Sequence, residues 1–115
     1  MTERNDAEKA MFSIIYNVTI NIENCIAAEW FQWLIKEHIP NVMATHCFTH
    51  YHVLQILNTD ESEGLTYAIQ YFASSIDEYE KYILEYAEAL RKKSNDKWGD
   101  AFVAFRTVMK KVECD

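Results

Sequence analysis

The sequence predicts an α+β fold with elements in the order β-α-β-β-α-β, and three observations carry that prediction. Residues 12 to 22 alternate strictly between two faces, as a strand with one buried side must. Two segments, following residues 22 and 74, instead repeat their apolar positions every three or four residues. Two glycines and one proline stand against three Trp, seven Tyr and six Phe, a balance that favours dense packing over disorder. At 115 residues, half of them hydrophobic, the chain has the size of one ordinary domain and needs no metal or disulfide staple to bury a core.

Each element has its own local reason. Residues 1 to 10 lack apolar periodicity and read as a flexible tail ahead of a single domain at 11 to 112, with residues 113 to 115 frayed. In the first strand, Phe12, Ile14, Tyr16, Val18, Ile20 and Ile22 share one face and Ser13, Ile15, Asn17, Thr19 and Asn21 the other. A helix from about Glu23 to His38 presents Ile26, Trp30, Trp33 and Leu34 as its stripe, with Pro40 limiting it to at most one further turn through Val42 and Met43. The second strand, His46 to Asn58, alternates untidily, which is the mark of a bulge. The acidic connection Thr59 to Gly64 makes a hairpin with the third strand, Leu65 to Phe72. Ser75 and Glu78 form a capping box for a second helix, whose stripe runs from Ile76 to Leu90 and ends among Arg91, Lys92 and Lys93. Trp98 and Gly99 close that segment before the fourth strand, Phe102 to Met109.

This order is the split βαβ arrangement of ferredoxin-like folds: a four-stranded antiparallel sheet with both helices on one face. The other face is then bare, and Ile15, Ala68, Phe72, Phe102 and Val108 are expected there beside the mid-strand polar residues Asn17, Gln70 and Arg106. A contiguous apolar patch of that size is uncommon on a monomer, so two copies are expected to pack these faces together as a homodimer. With 18 acidic and 11 basic residues the net charge is -7, a field that repels phosphate backbones and argues against a nucleic-acid partner. No run reaches the roughly 18 apolar residues of a membrane span, and the first ten residues are not a signal-peptide core, so a cytoplasmic protein is expected. Cys25, Cys47 and Cys114 are odd in number without C-x-x-C spacing, the pattern of reduced thiols.

Asn17, Gln70 and Arg106 are the candidate ligand-binding residues, with two amides and one fixed cation suited to a small anionic metabolite. The bland reading of the same three is structural: Arg106 pairs with a carboxylate, and the amides satisfy each other. His46, His50 and His52 share strand parity, a spacing able to chelate a transition metal, but local spacing fixes no third ligand and a surface histidine cluster is the simpler reading. No metal or cofactor is expected. There is no Gly-rich phosphate loop, no G-x-S-x-G elbow and no H-E-x-x-H helix. Two other classes stay open: a cofactor-independent monooxygenase or isomerase in which the three residues polarise the substrate, and a structural interaction module.

Ile15-Tyr16-Asn17-Val18-Thr19, His38-Ile39-Pro40 with Val42-Met43-Ala44-Thr45, Thr66-Tyr67-Ala68-Ile69-Gln70-Tyr71 and Phe102-Val103-Ala104-Phe105-Arg106-Thr107 together resemble a family of short bacterial proteins known as a domain of unknown function. The resemblance spans residues 11 to 112 and implies no activity. The family pattern has Gly where this chain has His46. More broadly, the chain looks like the dimeric α+β barrel group, which includes small monooxygenases, stress-response barrels and chlorite-dismutase-like haem proteins. The barrel monooxygenases often place an Asn on the first strand, as Asn17 is placed, but neither Trp98 nor any histidine matches their partner positions. Likeness of fold implies no reaction.

Overall fold

A computed structural model describes residues 12–114, so the expected tail at residues 1 to 10 lies outside the described residues. Strand β1, Ile14–Ile22, buries Ile14, Tyr16, Ile20 and Ile22 on one side, as its alternation requires. A 3₁₀ turn, Asn24–Ile26, leads into α1, which covers residues 27–43. Its first part, Ala27–Trp33, and its last, Ile39–Met43, are α-helical, and between them Leu34–His38 forms a π-helical turn in which the Ile39 N–H donates to the Leu34 carbonyl. That turn lies just ahead of Pro40, whose ring in a regular helix would meet the carbonyl four residues back and whose nitrogen has no hydrogen to donate. The widened turn lets the helix continue past the proline to Met43.

Strand β2, His50–Gln55, is shorter than its sequence pattern and pairs with β3, Leu65–Ala73, in unbroken register without the expected bulge. His46 is not on the strand: its φ of 62° places it in a left-handed turn, the conformation glycine adopts most easily. Between β2 and β3 the chain makes a 3₁₀ turn, Glu61–Glu63, capped by the Asp60 carboxylate, and reverses at Gly64 with φ 130°. A Cβ at Gly64 would sit 2.6 Å from the Ile22 carbonyl oxygen, so the close approach of the hairpin to the end of β1 depends on glycine.

The second helical segment is two helices, α2, Ile76–Glu85, and α3, Ala87–Trp98. Ser75 Oγ accepts the Glu78 N–H at 3.2 Å, which places the expected N-cap. Tyr86, with φ −128°, kinks the segment, although helical hydrogen bonds from Tyr86 to Tyr82 and from Leu90 to Tyr86 carry across the break. The helix also continues beyond Arg91, Lys92 and Lys93 to Trp98, where Gly99 at φ 54° stops it. Strand β4, Phe102–Lys110, completes the sheet.

The four strands form an antiparallel sheet in the order β2-β3-β1-β4, with α1, α2 and α3 against one face. The core between the layers holds Trp30, Leu34, Ile39 and Val42 of α1, Tyr82 of α2 and Leu90 of α3 against Tyr16, Ile22, Ile69 and Tyr71. Register then fixes which side chains face away. Asn17 lies opposite Gln70 on β3 and opposite Thr107 on β4, whereas Arg106 lies opposite Val18. Arg106 is therefore on the helix-covered face, across the sheet from Asn17 and Gln70, and Phe102 and Val108 go with it. The open face of β4 carries Val103, Phe105, Thr107 and Met109 instead. The physical reason is that β4 is apolar on both parities, so its own sequence does not say which side is in.

Candidate functional site

The open face can be built from the register alone. One row across the sheet reads His52, Gln70, Asn17, Thr107; the row beside it reads His50, Phe72, Ile15, Met109; on the other side stand Leu54, Ala68, Thr19 and Phe105. Asn17 is buried at 8 % exposure even here, and its Nδ2 donates to Thr19 Oγ1 at 2.9 Å. One end of the face is roofed by rings: His50 stacks on Phe72 at 4.2 Å, and His52 and Phe12 meet Phe72 edge-on at 4.8 and 4.9 Å. Burial, and then the neighbouring His52, hold the His50 imidazole below its ordinary pKa, which favours the neutral ring. The other end is open, with Leu54, Val103 and Phe105 exposed, and Met109 is exposed on the β4 edge of the ring row.

None of the strand positions on this face is Asp, Glu, Lys or Arg, in a chain that is 25 % charged. The structure brings Asn17 and Gln70 together as the sequence implied and adds His50 and His52, while His46 stands apart. Among the described residues, no group of three or more His, Cys, Asp or Glu is placed to hold a metal ion.

Arg106, removed from that set, lines a small cleft between the sheet and the helices together with Tyr16, His38, Tyr82, Arg91 and Ser94. Arg91 Nη2 donates to the Tyr16 hydroxyl at 3.0 Å. His38, set in the π-helical turn of α1, stacks on Trp33 with ring centres 4.9 Å apart. Burial, and then the charge of Arg106, lower its pKa to about 4, so the imidazole is neutral near pH 7. Burial raises the Tyr82 hydroxyl, and the neighbouring Tyr16 adds to that, against an opposing pull from Arg91 and Arg106. Sequence reasoning missed His38 and Arg91, yet each falls four residues after a buried stripe position, Leu34 and Ala87, which is a legible signal of an inward-facing polar residue.

The cysteines form no constellation: Cys47 is buried, and Cys25 and Cys114 are exposed as free thiols. Among the described residues no helix is long and apolar enough to cross a membrane. A family model described as "Domain of unknown function (DUF4286)" matches residues 13–112. No curated protein matches the chain.

Proposed function

The chain therefore belongs to the DUF4286 family, which brings no activity with it, and we propose from its geometry that it is a homodimeric small-molecule-binding protein assembled through the open sheet face. The single observation that carries this reading is the absence of charged residues from the strand positions of that face, on a chain rich in acids and bases. A solvated sheet face is ordinarily polar and charged, and one carrying exposed Leu54, Val103, Phe105 and Met109 is suited to contact with protein.

A second copy of the chain fits it. Three strands of nine residues and one of six, at about 3.3 Å per residue and about 4.8 Å between strands, give a face of roughly 520 Å² per subunit and about 1,050 Å² for a pair. That meets the roughly 1,000 Å² expected of a specific interface. A twofold axis also makes the patch its own complement, so one charge-free surface suffices. Strand β4, at the edge of the sheet, adds to the argument because its open-face side chains, Val103, Phe105, Thr107 and Met109, carry no charge and its cations Arg106 and Lys110 lie on the other face. The strand order β2-β3-β1-β4, read from the other edge, together with helices on one face, supports a ferredoxin-like subunit and a dimeric α+β barrel as the assembly.

Within that barrel the polar row would be enclosed. Gln70 and His52, with Asn17 behind them, supply amide and imidazole hydrogen-bonding groups toward a small molecule, and Arg106 is not part of this set. The oxygenase or isomerase reading needs Arg106 beside Asn17 and loses that support; the interaction-module reading shares the dimer and differs only in having no ligand. Free thiols at Cys25, Cys47 and Cys114 support a reducing, cytoplasmic setting. Native mass spectrometry of gently purified protein tests the reading. A dimer carrying additional small-molecule mass is expected, a dimer without it favours the interaction module, and a monomer overturns the assembly on which the site depends.

A further inference from the structure

The cleft on the helix-covered face is a separate feature with its own chemistry. Two guanidinium groups, Arg91 and Arg106, reach it from α3 and β4, and the imidazole of His38 reaches it from α1. The hydroxyls of Tyr16, Tyr82 and Ser94 also line it, and among its lining residues there is no Asp or Glu. That is notable in a chain with 18 acids. Among the described residues the ion pair formed is the exposed one between Lys92 and Asp96, so neither arginine meets a carboxylate of a described residue there.

A guanidinium has five donors to satisfy, and those removed from water need partners inside the protein. Arg91 uses one Nη2 bond on Tyr16, and its Nε is buried with no hydrogen-bond partner among the described residues. A buried donor left without a partner is destabilising, a cost that an anion in the cleft would relieve. The enclosed volume is about 40 Å³. At ~10–15 Å³ per water-sized site, that holds about three non-hydrogen atoms, which is the size of a carboxylate group. The walls beyond the polar groups are apolar, formed by Val18, Leu90 and Phe102, and suit the carbon part of an organic acid better than a fully hydrated inorganic ion.

We propose that this cleft is a binding site for the carboxylate group of a small organic acid, held between Arg91 and Arg106 with His38 and the Tyr16 hydroxyl beside it. Arg106, exposed on the edge strand, stands at the solvent end and admits the ligand, while Arg91 anchors the inner end through its fixed contact with Tyr16. The arrangement has a signature in His38. Its imidazole is discouraged from protonation by burial and by Arg106, and the negative charge of a carboxylate seated there opposes the effect of Arg106 and favours the protonated ring. The site is independent of the open face, since it lies on the other side of the sheet.

Sodium acetate is the probe, titrated into the full-length protein at constant ionic strength against sodium chloride, with the ¹⁵N signals of the His38 ring and the Arg91 Nε–H as readouts. Saturable shifts at both are expected with acetate and not with chloride. His38 should also take up its proton roughly one pH unit or more higher when acetate is bound. Arg106→Met, at an exposed position, should keep the fold and weaken acetate binding about tenfold or more. Lys92→Met, in the ion pair outside the cleft, should leave binding unchanged. Shifts that follow chloride, binding undiminished in Arg106→Met, or saturation by inorganic phosphate without saturation by acetate would each overturn the proposal.

Discussion

Replacing Phe105 by lysine tests the open face at its most exposed aromatic residue. At 68 % exposure, a phenylalanine side chain of roughly 200 Å² leaves roughly 135 Å² in water in the isolated subunit. Burying that area against a partner is worth about 3 kcal/mol per subunit at ~25 cal/mol per Å², and a twofold interface contains two copies. Discounting the pair by half for incomplete burial still leaves about 3 kcal/mol, a loss of more than about 100-fold in the dimer constant before any cost of placing two ammonium groups in the interface. The subunit itself should be indifferent, because the side chain contributes little to the core and lysine is well tolerated on edge strands. Sedimentation velocity over a concentration series reads the association, and far-ultraviolet circular dichroism checks the fold. A dimeric parent and a folded, monomeric Phe105→Lys are expected. Equal self-association of the two proteins would refute the argument that this face is the interface.

Three other outcomes follow from the structure. Gly64→Ala should cost roughly 2–4 kcal/mol in urea unfolding, because its Cβ would lie 2.6 Å from the Ile22 carbonyl oxygen at a φ of 130°; a loss under ~0.5 kcal/mol would contradict the close approach. His46→Gly should stabilise by about 0.5–1 kcal/mol, since the exposed histidine occupies a left-handed conformation at φ 62°, and a clear destabilisation would show that the imidazole has a role there. The unfolded chain protonates His38 near pH 6.5 and the folded chain near 4, so acidification through that window favours the unfolded state, by up to about 3 kcal/mol below pH 4. His38→Gln should remove that part of the pH dependence, measured as the difference between urea midpoints at pH 7 and pH 4.5; identical slopes in both proteins would contradict the buried, neutral imidazole.

The parts of the fold legible in the sequence are those where one face is apolar and the other is not. β1 and β3 meet that condition, which is why Asn17 and Gln70 were placed together and do lie opposite each other. β4 fails it, because Val103, Phe105 and Met109 on one parity are as apolar as Phe102, Ala104 and Val108 on the other. A one-residue choice of parity there moves Arg106 through the sheet, from the open face to the cleft. Strand β2 begins later than its pattern for a different reason: His46 takes a left-handed turn that side-chain periodicity cannot register, although the glycine expected there by resemblance is the residue such a turn favours. The kink at Tyr86 and the π-helical turn before Pro40 were likewise beyond pattern reading, since both preserve the apolar stripe while changing the backbone. The cleft itself was partly readable. His38 and Arg91 are polar residues one turn beyond buried ones, and what the sequence lacks is the tertiary contact that brings them to Arg106.

The most direct measurement of the central claim is an isotope-filtered nuclear Overhauser experiment on a mixture of labelled and unlabelled protein. Intermolecular contacts are predicted from the Leu54, Val103 and Met109 methyl groups and from the Phe105 ring, all on the open face of the sheet. Contacts arising instead from Ile76 and Leu84 on α2, or no intermolecular contacts at all, would contradict it.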